Sequence, residues 1–265
     1  MRDIQIVSHR GRFGGSIVEN TLAAFEAALY CGADIIEMDV RRTRDGVLIL
    51  FHDPSPQRLL GLTGKTEDYT LAELRAQPLI NPIGEKSAFY VTTLDEALDA
   101  LKGRCIINLD QCWRFIHEAY VPVRDRGMEE QVLIKGRVPY DEAISWLGEN
   151  DFIPRFVPVV TCEKEIAELA KLPEKACIPA VEVFAHEDHD AVIGTEFVDS
   201  VHAAGRKLWI NALTFSDQFT LCAWHDDNTS VMGNPQNGWG WLIEHGADIL
   251  QTDWPRELAD YLNTI

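Results

Sequence analysis

The stretch Ile35-Ile36-Glu37-Met38-Asp39-Val40-Arg41-Arg42-Thr43-Arg44-Asp45-Gly46-Val47-Leu48-Ile49-Leu50-Phe51-His52-Asp53 holds two apolar runs around a turn sequence. Thr43-Arg44-Asp45-Gly46 leaves no room for a helix, so the run from Val47 to His52 reads as the return arm of a hairpin. Side chains alternate with period two along a strand, which puts Glu37 and Asp39 on one face. Two carboxylates pointing the same way at a strand end repel one another unless a cation lies between them. The return arm brings His52 back beside them.

Upstream, Ile4-Gln5-Ile6-Val7-Ser8 is a short strand that ends in His9-Arg10-Gly11. Downstream, apolar runs at 105–110, 132–136, 156–160, 180–184, 207–211 and 248–252 join those at 4–8 and 35–40 as candidate strands. Helix-like segments lie between most of them. Thr21 and Thr93 offer N-caps, and Leu94, Ala97, Leu98 and Leu101 follow Thr93 at helical spacing. A helix is also expected over 111–119, and others over 163–172, 196–204 and 240–245. Gly32, Gly103, Gly127, Gly205 and Gly246 stand where helices should stop. Eight strands alternating with helices in 265 residues have the size and rhythm of a TIM (β/α)8 barrel.

If the hairpin projects from the C-terminal end of the second strand, its chemistry-bearing groups stand at the barrel mouth, where such folds keep their active sites. Residues 53–90 are rich in Pro, Gly, Thr and Asn and read as an elaborated loop over one side of that mouth. With the helix after it, this insertion occupies about 53–103 of a single domain spanning 1–265.

The net charge of −18 disfavours nucleic acid or an anionic membrane as partner, because neutralising a phosphate backbone takes clustered Lys and Arg. A small phosphorylated substrate needs only a locally cationic pocket. The first strand begins by Ile4, which leaves no space for a signal peptide, and no run has the length of a membrane span. Six scattered cysteines without a CxxC pair suit free thiols, so a cytoplasmic location is expected. Homo-oligomerisation stays open.

Several residues stand out as candidates for chemistry. Oxygen-only ligation by Glu37 and Asp39 suits one divalent cation, Mg²⁺ or Ca²⁺. The strand Ile106-Ile107-Asn108-Leu109-Asp110 adds a same-face polar pair, with Asp110 the candidate third ligand. Its ordinary alternative is capping of the following helix. His9 and His52 suit general acid and base work near neutral pH. Arg10 can clamp a phosphate, or can pair with Glu19 or Glu37. Lys135 ends the run Val132-Leu133-Ile134 as a further phosphate contact or as a solvated lysine. Glu182 and His186 end a later strand and face substrate in this reading. Trp209 and Asn211 end the run 207–211 on one face, and Trp113 follows an earlier strand; an aromatic ring at either place stacks on a ligand or simply packs.

Taken together, His9-Arg10-Gly11, Glu19-Asn20-Thr21, Ile36-Glu37-Met38-Asp39-Val40, Thr43-Arg44-Asp45-Gly46 and His52-Asp53 resemble the glycerophosphodiester phosphodiesterase family. Gly246-Ala247-Asp248 and Thr252-Asp253-Trp254-Pro255 are similar to its closing signature. The resemblance implies a barrel of the phospholipase-C-like phosphodiesterase type. It also implies hydrolysis of small diesters to a phosphomonoester and an alcohol, with one divalent cation. By position it assigns Glu37 and Asp39 to the metal, His9 and His52 to acid–base catalysis, and Arg10 to phosphate.

The chain departs from the family where Glu-x-Lys is usual and Asn108-Leu109-Asp110 stands instead. Either Asp110 or Asn108 then completes the metal site, and Lys135 replaces the missing lysine in space. Substrates of the glycerophosphodiester class and of the sugar or opine type remain open. Two other readings compete: a phospholipase D-like enzyme acting on lysophospholipid head groups, and a barrel that binds phosphodiesters without turnover.

Overall fold

The computed structural model describes residues 4–137, 154–172 and 176–265. The described strands are, in chain order, β1 (Gln5–Ser8), β2 (Ile35–Arg42), β3 (Leu48–Leu50), β4 (Ile106–Asp110), β5 (Val132–Gly136), β6 (Arg155–Val160), β7 (Ala180–Val183), β8 (Lys207–Asn211) and β9 (Ile249–Thr252). The order β1-β2-β4-β5-β6-β7-β8-β9 returns to β1 through parallel pairs, which closes a (β/α)8 barrel. β3 runs antiparallel to β2, with Val40 opposite Leu50 and Arg42 opposite Leu48. The hairpin expected from Thr43–Gly46 is therefore present.

Alternation along the strands divides the core in two. Ile36, Met38, Ile107, Leu109 and Ile134 belong to a large outer core with Phe25 and Ala28 of the helix Leu22–Tyr30 and Leu94, Leu98 and Leu101 of the helix Leu94–Leu101. Residues of opposite parity turn inward. Val7, Ile35, Leu133, Val157, Ala180, Trp209 and Ile249 form a separate apolar cluster that plugs the barrel, with Ile106 packed on it. Two residues further along, the inward positions become polar: Glu37, Asn108, Lys135, Glu182, Asn211 and Gln251, all buried. The site thus rests on an apolar floor one layer below it.

Local signals explain most element boundaries. Thr21 Oγ1 accepts from the Ala24 N–H and starts the first helix. Thr93 and Glu96 form a reciprocal capping box for Leu94–Leu101. The helix expected over 111–119 is displaced: a 3-10 turn covers Trp113–Phe115, and the helix runs Ile116–Asp125. Gln111 has a φ of +60°, a left-handed conformation that cannot begin a right-handed helix. The segment expected as a helix over 163–172 is helical only across Glu163–Ile166 and continues as a 3-10 turn. The insertion carries its own small core, in which Leu59, Leu60, Leu74, Leu79 and Val91 pack on Ile49 and Phe51 of the hairpin. Because Ile49 and Phe51 are anchored there, His52 is delivered to the mouth.

Gly11 ends the His9-Arg10-Gly11 turn with a φ of +76°, and a Cβ there would lie 2.7 Å from the Ala24 carbonyl carbon and 2.9 Å from the Ala24 Cβ. Gly11→Ala combines backbone strain with collision against the first helix and should cost about 2 kcal/mol or more. Urea unfolding measures this; an unchanged midpoint would show that the turn is not constrained by the helix.

Candidate active site

Register places Glu37 opposite Asn108 and Asp39 opposite Asp110. One oxygen from each of Glu37, Asp39 and Asp110 lies within 4.8 Å of the others. Burial and the neighbouring charge of Asp39 hold the Glu37 carboxyl well above the ordinary range. For Asp39 burial acts the same way, but Arg10, His52 and His9 outweigh it and its carboxyl stays below the usual range. Three oxygen donors crowded together, with like-charge repulsion between them, fit a hard divalent cation.

Asp39 is held from several sides. Asn20 Nδ2 donates to Oδ2 at 2.9 Å, and Gln111 Nε2 donates to Oδ1 at 2.8 Å. The Asp39 N–H donates back to Asn20 Oδ1 at 3.2 Å. Arg10 Nε stands 3.2 Å from Oδ2 as an ion pair. Arg10, Asn20 and Gln111 all have positive φ, at 55°, 55° and 60°. Such strain in non-glycine residues collects at functional sites, where the surrounding contacts enforce it. Here it turns three side chains or amides onto the carboxylates: the Arg10 N–H also donates to Glu37 Oε2 at 2.9 Å.

Each candidate acid–base histidine has a carboxylate behind it. His9 Nδ1 lies 3.0 Å from Asp253 Oδ1, and His52 Nδ1 lies 2.8 Å from Asp53 Oδ1. With Nδ1–H given to the carboxylate, Nε2 is left for proton transfer on the cavity side. Both histidines line one cavity of about 570 Å³ with the three carboxylates. Asp53 is brought down to about 2, burial being outweighed by hydrogen bonds from Arg58 and His52. Arg58 also bonds Glu19 at 2.7 and 2.8 Å, and Glu19 accepts from Arg10 Nη1 at 3.0 Å. One network therefore joins the two histidine loops. Arg41 tightens it by donating to the His52 carbonyl at 2.6 Å and to Gln111 Oε1 at 2.7 Å.

Lys135 is buried, not a solvated lysine. Its Nζ donates to Glu182 Oε1 at 3.0 Å and to Gln251 Oε1 at 3.1 Å, and stands 3.6 Å from Asp110 Oδ2. Burial disfavours its charge, yet Glu182, Asp110 and Glu37 keep it above the usual lysine range. Glu182 is thus a partner of Lys135 and of Asn211 Nδ2, at 2.7 Å, with burial raising its own carboxyl. Its Oε2 and both side-chain polar atoms of Asn108 are buried with no hydrogen-bond partner among the described residues. Asp110 does not cap a helix; its Oδ1 accepts from the Gln111 N–H at 2.6 Å, inside the turn that follows β4.

Trp209 is a correction. Its ring is fully buried in the barrel floor, with Nε1 donating to Asn211 Oδ1 at 3.1 Å and Lys135 Nζ 4.7 Å from the ring centre. Trp209 precedes Asn211 by two positions, which places it one layer below the cavity, out of reach of a ligand. Trp113 does line the cavity.

Several contributors carried no sequence signal. Gln111 and Arg137 line the cavity, as do Phe184, Phe215 and Phe219. Asp227 is buried and accepts from Thr252 Oγ1 at 2.7 Å, Trp239 Nε1 at 2.8 Å and the Asp253 N–H at 2.9 Å. It thereby positions the backbone that carries the carboxylate behind His9, while burial pushes its own carboxyl up to about 8. A lone aspartate in a loop gives no hint of such a role.

The comparisons with known proteins agree with this geometry. The model of the glycerophosphoryl diester phosphodiesterase family matches residues 9–130, and a model of a domain of unknown function matches residues 156–262. A glycerophosphodiester phosphodiesterase of Caldanaerobacter subterraneus is 40% identical over 137 residues, 49% of this chain and 56% of that protein. The match thus spans about half the length of that curated relative. The uncharacterized protein YqiK of Bacillus subtilis is 34% identical over 263 residues, 97% of this chain and 98% of that protein. The crystal structure of a glycerophosphoryl diester phosphodiesterase from Parabacteroides distasonis superposes with a TM-score of 0.80 at 26% identity, covering 99% of this chain and 87% of that one. With both histidine loops, the paired carboxylates and the barrel in place, the chain belongs to the glycerophosphoryl diester phosphodiesterase family.

Proposed function

We propose that the chain is a metal-dependent phosphodiesterase that hydrolyses small diesters, of the glycerophosphodiester class, to a phosphomonoester and an alcohol. The observation that carries this reading is the convergence of three carboxylates and two carboxylate-backed histidines on one cavity. Glu37, Asp39 and Asp110 would hold the cation, with Mg²⁺ or Ca²⁺ favoured by the all-oxygen donors. When bound, that cation would supply Lewis-acid polarisation of the phosphate and offset its negative charge.

The protein's own groups do the rest. Arg10 and Lys135 give the cavity a positive flank for the phosphate oxygens, although both are also tied to carboxylates. One histidine Nε2 removes the proton from the attacking oxygen, of water or of a neighbouring substrate hydroxyl; in the second case the product is a cyclic diester, which water then opens to the phosphomonoester in a second displacement with the histidine roles exchanged. Attack at phosphorus breaks the bond to the departing alcohol, and the other histidine delivers a proton to that oxygen. Asp253 and Asp53 orient the rings and stabilise the imidazolium each forms in turn.

A second reading keeps the site and changes the substrate to a lysophospholipid, whose head-group alcohol departs. Phe215 and Phe219, 49% and 47% exposed, line the cavity and would accept an apolar chain. Hydrolysis of glycerophosphocholine and glycerophosphoglycerol against lysophosphatidylcholine decides between the two.

Chelation by EDTA should abolish turnover, and Asp110→Asn should raise the cation concentration needed for half-maximal rate by about tenfold or more. Full activity in a metal-free preparation would refute the cation's role. His9→Ala and His52→Ala should each lower kcat by about a hundredfold or more with little change in KM. An undiminished kcat in either variant would remove that histidine from acid–base catalysis, whereas no turnover by the unsubstituted protein would favour a barrel that only binds.

Stability should also respond to acid. The folded Asp53 carboxyl lies near 2, below its unfolded value, so its pairing with Arg58 and His52 stabilises the fold above the unfolded pKa. That contribution is lost as pH falls through about 4 toward about 2. Between those limits the urea midpoint of the unsubstituted protein should drop further than that of Asp53→Asn; parallel curves would contradict the assignment.

A further inference from the structure

A second cavity lies against the first. A groove of about 1170 Å³ runs between the hairpin, the insertion and the turn after β4. Its walls carry Arg41, Arg42, Arg44, Lys65 and Arg114 against three acids, Asp45, Glu67 and Glu118. This is a local cationic surplus in a chain whose net charge is −18. Gln111 and Trp113 line both cavities, so the groove adjoins the proposed reaction centre.

The charges in the groove are unequally engaged. Arg42 is tied to Glu118 at 2.7 Å, and Arg44 to Glu73 at 2.9 Å. Arg41 is turned toward His52 and Gln111, with Glu67 at 3.8 Å. Asp45 accepts from the Thr43 hydroxyl at 2.6 Å and the Leu71 N–H at 3.1 Å. Among the described residues, the Lys65 ammonium and the Arg114 guanidinium have no acidic partner, and both side chains are exposed. A guanidinium fork and a point-charge ammonium are the donors that suit phosphate oxygens, and both line this one groove.

We propose that this groove binds a second phosphate on the substrate, so that the preferred ligand is a soluble diester with a further phosphate beyond the scissile one. The proposal rests on the phosphodiesterase reading for the location of the scissile group. It identifies Lys65 and Arg114 as specificity-determining residues outside the catalytic machinery. An anionic membrane is the weaker occupant, because the strongly acidic chain is repelled by such a surface.

The test is calorimetric binding to the chain carrying both His9→Ala and His52→Ala, so that turnover is suppressed, with Mg²⁺ or Ca²⁺ present. The probes are glycerophosphoglycerol, with one phosphate, and bis(glycerophospho)glycerol, with two. The two-phosphate probe should bind about tenfold or more tightly, and added salt should shrink that advantage. Adding Lys65→Gln and Arg114→Gln should remove most of the advantage and leave the affinity for the one-phosphate probe unchanged. Equal affinities for the two probes, or an advantage that survives both substitutions, overturns the proposal. So does sedimentation with phosphatidylglycerol vesicles that depends on the same two residues, since the groove would then serve a lipid surface. Hydrolysis by the unsubstituted protein is scored separately: no turnover with the two-phosphate preference intact refutes the phosphodiesterase reading and not the groove.

Discussion

Three carboxylates brought within 4.8 Å of one another inside a barrel set the terms for everything around them. Confining like charges in a poorly solvated space is costly, and the fold answers it from every side. Arg10 lies against Asp39, Lys135 stands 3.6 Å from Asp110, and amides of Asn20 and Gln111 donate to Asp39. The compensation is incomplete at Glu37, whose carboxyl stays raised by burial and by Asp39. A divalent cation would complete it, so the same crowding that is costly to the protein alone makes this cluster the candidate metal site.

The barrel makes this crowding possible by separating its layers. The apolar plug of Val7, Ile35, Leu133, Trp209 and Ile249 closes the interior one step below the polar layer. Above it, each strand end contributes a side chain from a different direction. The hairpin and the insertion then act as a scaffold. Ile49 and Phe51 are packed into the insertion's own core, and the chain carries His52 back to the carboxylates. Strained turns at Arg10, Asn20 and Gln111 aim groups that a regular strand or helix would direct elsewhere.

Legibility in the sequence followed periodicity. The β-strands, the hairpin and the helix starts at Thr21 and Thr93 were readable because alternation and capping are local. The residues brought together at the cavity, His9, Arg10, Glu37, Asp39, His52, Asp110, Lys135 and Glu182, were also readable, since polar side chains at the ends of apolar runs are conspicuous. Trp209 was misplaced because depth along a barrel strand is not local: whether a ring sits at the mouth or in the floor depends on the register of the neighbouring strands. The helix after β4 was displaced because the left-handed turn at Gln111 falls on a residue type with no special preference for it.

Sequence alone determined the strand count, the polar faces and the kinds of groups at the strand ends, because each depends on spacing between near neighbours. Tertiary structure alone decided which carboxylate stands behind each histidine. Asp253 reaches His9 across 244 positions of chain, while His52 takes its immediate neighbour Asp53. It alone decided that Lys135 is buried against Glu182 and Gln251, and that Arg41, Arg42, Arg44, Lys65 and Arg114 share one groove. The physical reason is closure of the barrel: it joins the last strand to the first and fixes the shear between them. Distant residues thereby meet at distances that no local pattern encodes.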